Sequence, residues 1–477
     1  MTTPLQSSPD NKPVKVFLTG ATGVMGSAGL RYLTAEPGKY DVTILARPSK
    51  KNAKKLREYI EKGVAVVWGS LENYKDVARG VRRADVILHV GGAVSPGADW
   101  HPKAAIRTNV TAMKNIVKAV KEQSAKHTDL NEPKVVYIGS VSQYSSRAIP
   151  EHWGGVGDPL IPALYDAYAY SKIEAERILA ESGIKKWVSL RQTGILHPGL
   201  LMNAGDPISF HVPIRGVLEW VTAEDSGRLL EKVCHRDVPD DFWCDFYNIG
   251  GGEGFRMTNY EFESRLLKAI GCPPPEKIFD PSWFATRNFH GMWYYDSDRL
   301  ENYLHFRSGE SVDDYFKRMV AGLPFYFKLT PLAPAGLIKG VMKKVAMTER
   351  LGTLWWIKNN VEERIKASFG SREAWEKIGD WNSLDLSIPD KSQSSDNSKD
   401  YVMTTKSYHH HPRFHKDDYS GEVKFDNITL LSPYEGDYHA PLNWRCAKGH
   451  DFEASMMLVE RGGHRCPQCI REAALLE

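Results

Sequence analysis

The sequence predicts an α/β fold built on a doubly wound parallel sheet, and two observations carry that prediction. From Val14 onward, short continuous apolar runs alternate with amphipathic helical stretches, and such runs suit strands covered on both faces by helices. The first run also passes straight into a glycine-rich turn that opens a helical stretch, the strand–turn–helix order of a dinucleotide-binding Rossmann unit.

The elements follow in order. KVFLTG, DVTILA, VAVVWG, ADVILHV, KVVYIGS and WVSLRQTGIL are apolar runs bounded by turn residues and read as strands. TAMKNIVKAVKEQ and SKIEAERILAESG are helical stretches between them. From about Pro198 to Phe325 the strand signals thin and a smaller substrate-binding region is expected, with YNIGGGEG and MTNYEFESRLLKAIG forming a strand, a glycine loop and a helix. The expected organisation is a disordered lead over 1–13, a Rossmann core with its substrate region over 14–325, and a helical extension over 326–385. A Ser/Asp/Lys-rich linker over 386–406 and a separate C-terminal unit over 407–477 complete it. In the extension, GLIKGVMKKVAM and GTLWWIKNNVEERI mix apolar and basic residues. A helix covering the substrate pocket is the expectation there, with an interfacial membrane helix as the alternative.

Bulk composition sets limits. Among 477 residues, 42% are hydrophobic and 25% charged, as in an ordinary globular protein. A formal charge of +3 argues against a nucleic-acid partner and gives no strong membrane bias. The start, MTTPLQSSPDNKP, lacks the basic–apolar order of a secretory signal, and no apolar run approaches the ~20 residues of a membrane span. Six cysteines, three of them within the last 32 residues, point to a metal site in a reducing cytoplasm rather than to disulfides.

In Thr19-Gly20-Ala21-Thr22-Gly23-Val24-Met25-Gly26 the three glycines permit a tight turn, close approach of backbone to a pyrophosphate, and helix-on-strand packing. Thr22, Val24 and Met25 share the loop and the helix N-terminus, where free N–H groups favour anions. The second strand ends in ARPSKKNAKK, with Arg47 at its tip and Lys50 and Lys51 beyond, where an acidic residue would bind both ribose hydroxyls. A guanidinium there suits a 2′-phosphate, so NADP is expected over NAD. Tyr168 and Lys172 lie one helical turn apart, and Ser140 closes a strand at the ligand-binding edge of the sheet. A phenol with a pKa of about 10 needs a neighbouring positive charge to give up its proton readily near neutrality. Lys172 and a nicotinamide ring are the expected sources.

With those residues in view, 14–325 resembles the extended short-chain dehydrogenase/reductase family, also called NAD-dependent epimerase/dehydratase-like. TGATGVMG resembles its glycine motif, ILHVGGAV (with Gly91) its fourth-strand motif, and YAYSK its Tyr–Lys motif. The resemblance implies Ser140 as catalytic serine (Ser142 being the alternative), Asn109 from NVTAMKN, and Pro198 beside the nicotinamide. The third-strand segment departs from the family, carrying Gly69-Ser70-Leu71 where an Asp contacts adenine, so Ser70 and Leu71 take that place. The family includes enzymes that use the cofactor transiently, so a nucleotide-sugar epimerase or dehydratase stands beside net oxidoreduction, and a non-enzymatic dinucleotide sensor beside both. Only Arg215 offers a phosphate contact in MNAGDPISFHVPIRGVLEW, and Phe210, Trp220 and Trp243 suit a hydrophobic, steroid-like carbonyl or alcohol better. His197 and His211 are further pocket candidates, and a homodimer is a further expectation.

Cys446, His450, Cys466 and Cys469 form two ligand pairs that can close a tetrahedral zinc shell, with His464 competing with His450. The pattern resembles zinc-ribbon and treble-clef modules. A complete shell has no open position, so the zinc is expected to be structural. Its removal should unfold the tail without directly stopping the chemistry. SYHHHPRFH is read as a flexible polar loop.

Overall fold

The computed structural model describes residues 12–95, 97–126, 131–202, 205–392, 424–425 and 428–474. Most of the expected lead and linker, and the SYHHHPRFH run, lie outside the described residues.

A seven-stranded, wholly parallel sheet forms the centre. Its strands are β1 (Val14–Thr19), β2 (Tyr40–Ala46), β3 (Ala65–Trp68), β4 (Val86–His89), β5 (Lys134–Ser140), β6 (Trp187–Gln192) and β7 (Asp245–Ile249). The order is β7-β6-β5-β4-β1-β2-β3. The chain reverses its winding at β1, and the gap between the carboxyl ends of β1 and β4 is where such sheets take ligands.

Helices cover both faces. On one, Leu30 and Leu33 of α1 (Val24–Leu33) and Leu229 and Leu230 of α6 (Ala223–Lys232) pack on Val16, Leu18, Ile44 and Leu88. On the other, α3 (Tyr74–Val81), α4 (Pro102–Lys126) and α5 (Ala167–Ala180) bring Val77, Met113, Ile116, Ala175 and Leu179 onto Phe17, Ile87, Val135 and Tyr137. Between β2 and β3 runs α2 (Lys50–Glu61), capped by the Ser49 hydroxyl. The WVSLRQTGIL run is not one strand. It leaves the sheet at Gln192, and Ile195–Leu196 pairs instead with Val221–Thr222.

The substrate region contains α7 (Asn259–Ala269), with a Thr258–Glu261 capping box. In the extension, α8 (Ala335–Ala346) lays Ile338, Met342, Val345 and Ala346 against Phe210, Phe279 and Phe284. GTLWWIKNNVEERI is two helices rather than one, because Asn360 turns left-handed (φ 53°) between Thr353–Lys358 and Glu362–Phe369.

The tail forms an antiparallel ribbon, β8 (Ile428–Leu430), β9 (Pro441–Cys446) and β10 (Asp451–Ser455), followed by α9 (Pro467–Ala474). It was expected to stand apart, but it shares the core of α4, α5, β6 and β7. Trp444, Met456 and Leu458 join the cluster containing Leu179, Trp187 and Phe246. Polar contacts continue the seam: Leu160 N–H donates to the Gly463 carbonyl (2.8 Å), Tyr165 N–H to Ala473 (3.0 Å), and Arg461 pairs with Asp245 (2.7 Å).

At the centre of that seam lies a fully buried ion pair. Arg191 of β6 makes a forked contact with Glu176 of α5 (3.0 and 2.7 Å), and also donates to Tyr144 and to the tail's Gly462 carbonyl (both 2.6 Å). His464 of the tail donates through Nε2 to the second oxygen of the fork (2.8 Å). Burial opposes charge on Glu176, yet the Arg191 guanidinium beside it holds its carboxyl well below the usual range. Removing one partner leaves the other buried and uncompensated. Glu176→Ala should therefore destabilise the protein by about 3–5 kcal/mol in chemical denaturation. A loss below about 1 kcal/mol would show that water replaces the pair without cost.

Candidate active site

The glycine turn is built by close backbone approach. Gly20 has φ 77°, and a Cβ there would lie 2.6 Å from the Gly91 nitrogen. A Cβ on Gly26 would reach 2.2 Å from the Gly20 carbonyl oxygen, so α1 can only begin hard against the turn if that position stays bare. Gly91 N–H donates to the Thr19 hydroxyl (3.0 Å), which contacts His89 Nδ1 (2.9 Å), tying the ends of β1 and β4 together. Burial holds the His89 imidazole neutral, with its pKa down at about 3.

Gly20, Gly23, Val24, Met25 and Gly26 open onto a cavity of about 960 Å³ that also receives Ser140, Tyr168 and Lys172. Gly23 caps α1 in extended geometry without a side chain, leaving its helix N-terminus open to an anion. The cradle fits a dinucleotide pyrophosphate.

Around the reacting end, Ser140 faces the cavity, while Ser142 is fully buried behind it and donates to the Ser140 oxygen (2.9 Å). That geometry favours Ser140 over its alternative. Tyr168 is half-buried at the cavity wall, and Lys172 Nζ donates to the Ile138 carbonyl (2.8 Å) while lying 5.8 Å from the Tyr168 ring centre. Burial brings Lys172 down to about 8. Burial pushes the Tyr168 phenol up to about 12, and the Ser140 hydroxyl, rather than Lys172, is the protein group that pulls it back. The Lys172 ammonium is directed at a backbone carbonyl.

Other expected residues sit outside the cavity wall. Asn109 is buried and spends its amide on Ala93 (2.7 and 3.0 Å) and the Ser171 hydroxyl (2.8 Å), so it braces the β4 loop against α5. Thr22 lends its carbonyl to Lys55 Nζ (3.0 Å). Ser70 N–H is taken by Asp76 (3.0 Å), Leu71 packs at Gly91, and Pro198 is exposed beside cavity-lining His197. Arg47 is exposed at the end of β2. Lys55, hidden in the KKNAKK run, is the residue the sequence reading missed: one turn into α2, it crosses to the glycine loop.

The substrate half is lined by Leu200, Leu201, Phe210, Leu218, Trp220, Phe262, Ile338 and Met342. The two last belong to the extension, which therefore covers the pocket. Trp243 does not line it; the indole is buried in the core shared with α1 and α6, under Lys134 at the amino end of β5. His211 also turns away, its Nε2 2.7 Å from the Leu351 carbonyl. Arg215 lines the cavity but pairs with Asp385, and Arg147 pairs with Asp158 (2.8 Å).

In the tail, the ligand atoms of Cys446, His450, Cys466 and Cys469 lie within 4.8 Å of one another. Cys446 and Cys469 sulfurs are 3.8 Å apart, and His450 Nδ1 is 3.4 Å from Cys469 and 3.7 Å from Cys466. About 3.8 Å is the edge of a tetrahedron with metal–sulfur bonds near 2.3 Å, so the four residues fit a zinc ion. Gly449 (φ 83°) makes the turn that returns His450 to Cys446. His464, the competing candidate, is committed to Glu176. Protein purified without chelator should carry one zinc per chain by elemental analysis, and Cys469→Ser should lose it. Metal-free wild-type protein would remove the site.

Among the described residues no helix is long and apolar enough to cross a membrane. No curated protein matches the sequence. Solved structures share the fold. A dTDP-glucose 4,6-dehydratase from Bacillus anthracis in complex with NAD superposes with a TM-score of 0.52 at 16% identity, over 65% of this chain and 96% of its own. A dTDP-glucose 4,6-dehydratase from Streptomyces venezuelae with NAD bound gives 0.51 at 19%, over 65% and 96%. UDP-glucuronic acid 4-epimerase from Bacillus cereus, in complex with UDP-glucuronic acid and NAD, gives 0.51 at 16%, over 66% and 99%. The sequence itself matches the family described as NAD dependent epimerase/dehydratase over residues 16–191. The turn at Gly20, the β1–β4 cleft and the Ser140–Tyr168–Lys172 cluster all belong to the stretch, residues 16–191, that is similar to the NAD dependent epimerase/dehydratase family.

Proposed function

We propose that this protein is an NADP-dependent oxidoreductase that interconverts a carbonyl and an alcohol on a hydrophobic, steroid-like small molecule. The observation that carries the reading is the union of the Ser140–Tyr168–Lys172 cluster with a largely apolar cavity, where Arg147 and Arg215 are paired to carboxylates of the chain and exposed Arg287 is the one further guanidinium among the lining residues described. A nucleotide-sugar diphosphate would call for free, forked cations. The second reading, a nucleotide-sugar epimerase or dehydratase, draws on the activities named for structures of the same fold. The two part on net consumption of NADPH with a carbonyl panel, which an epimerase or dehydratase does not need.

The nicotinamide, when bound, supplies or accepts the hydride. The glycine turn and the α1 N-terminus would hold the pyrophosphate, and Arg47 at the end of β2 and Lys55 at the glycine loop are the cations that would meet a 2′-phosphate. Lys172, still an ammonium below about pH 8, is free to exchange its Ile138 contact for ribose hydroxyls. The Ser140 hydroxyl steadies the substrate oxygen. Tyr168, held up at about 12, keeps its proton at neutral pH and delivers it to that oxygen as negative charge develops. Apolar walls exclude water from the reacting carbon.

Tyr168→Phe should bind NADP nearly as well as wild type while turnover falls by roughly 10²-fold or more. Undiminished turnover would remove Tyr168 as the donor and turn attention to Tyr170. Arg47→Glu should weaken NADPH binding far more than NADH binding in fluorescence titrations. Equal losses, or a wild-type preference for NADH, would mean that Arg47 is only a solvated loop residue.

A further inference from the structure

The extension covers the cavity with one face and leaves the other unused. Along α8, Ile338, Met342, Val345 and Ala346 point inward, while Leu337 and Val341, one turn apart, are 63% and 52% exposed. Just before the helix, Phe325 and Leu332 are 76% and 78% exposed. Phe325, Leu332 and Leu337 are the three most exposed large apolar side chains among the described residues. Scattered exposed apolar side chains are ordinary, but their concentration in one short segment is the mark of an interaction surface.

Charge says what the surface meets. Residues 325–350 carry Lys328, Lys339, Lys343, Lys344 and Arg350 against Glu349 alone, a net +4, while the whole chain is +3. The segment is thus strongly basic in a chain that is close to neutral. Lys343 and Lys344 are exposed on the last turn of α8, beside Val341. Apolar side chains with a basic fringe on an amphipathic helix match an interface between water and anionic headgroups. A second copy fits poorly, because a two-fold contact through this face would bring like charges together.

We propose that the outer face of α8 and the segment before it dock the protein peripherally on an anionic lipid bilayer. The same helix lines the substrate cavity through Ile338 and Met342, with Thr330 beside them. Docking therefore sets the covered end of an apolar pocket at the membrane surface, where a lipophilic ligand partitions. No spanning segment is needed, since the helix lies in the interface plane. Binding through this face does not require the oxidoreductase reading to hold.

Flotation of the full-length protein tests this directly, using vesicles of phosphatidylcholine alone and vesicles in which about a third of the lipid is phosphatidylglycerol. Wild-type protein should float with the anionic vesicles and, by about tenfold or more, less with the zwitterionic ones. The double variants Leu337→Gln/Val341→Gln and Lys343→Glu/Lys344→Glu should each cut flotation by a similar factor while retaining the wild-type melting temperature and NADP binding. Absence of wild-type flotation on anionic vesicles, or flotation unchanged in both variants, would overturn the proposal. So would a dimer in sedimentation that either variant dissolves, because the face would then belong to a second copy. Because the readout is lipid binding, its failure leaves the turnover of Tyr168→Phe as a separate test of the chemistry.

Discussion

The arrangement depends on a charge that cannot be left alone. Arg191 is completely buried in β6, and its guanidinium is met by Glu176 from α5, Tyr144 from the loop after β5, and Gly462 from the tail. A buried guanidinium imposes geometry on every partner, because each unmet N–H carries a desolvation cost. Glu176 stands one helical turn beyond Lys172. The contact that satisfies Arg191 therefore also sets the rotation of α5, and with it where Tyr168 and Lys172 meet the cavity. His464 binds the same carboxylate, so the tail closes the fourth side of this network. The Cys446–His450–Cys466–Cys469 cluster is thereby tied to α5, with Cys466 two residues beyond the histidine that makes the contact.

The tail and the cavity are separate in space. Cys446, His450, Cys466 and Cys469 do not line the cavity, and zinc in a closed shell supplies no open position for substrate. Yet Leu160, Tyr165 and Glu181, which flank α5 on both sides, all hydrogen-bond to tail residues. Unfolding the tail would expose Trp187 and Phe246 and strip the network of two partners. The tail thus meets α5 and its flanks through packing and hydrogen bonds, away from the cavity.

The parts legible in the sequence were those encoded by neighbours. Gly20, Gly23 and Gly26 lie within one turn and its helix, Tyr168 and Lys172 within one helical turn, and the four metal ligands in two short pairs. Each spacing is a local consequence of backbone geometry, so the residues announce their arrangement. What escaped depends on contacts between distant segments. His464 reaches Glu176 across 288 positions, which no local pattern encodes. Lys55 was one of several lysines in a basic run, distinguishable only once α2 lies beside the Thr22 carbonyl. Trp243 was misplaced because an aromatic residue near the substrate segment is as suited to the core as to a pocket wall. Asn109 kept its motif but spends its amide on the β4 loop and Ser171.

Through Gly462 and His464 the tail fixes the position of α5. Hydrogen exchange across residues 167–180, followed on the NADP-bound protein before and after zinc removal by a chelator, tests this most directly. Protection of this helix should fall together with that of β9 and β10, while β1 to β4 keep theirs. Helix protection that persists after the tail has lost its own would show that α5 holds its place without the brace, and would contradict the account.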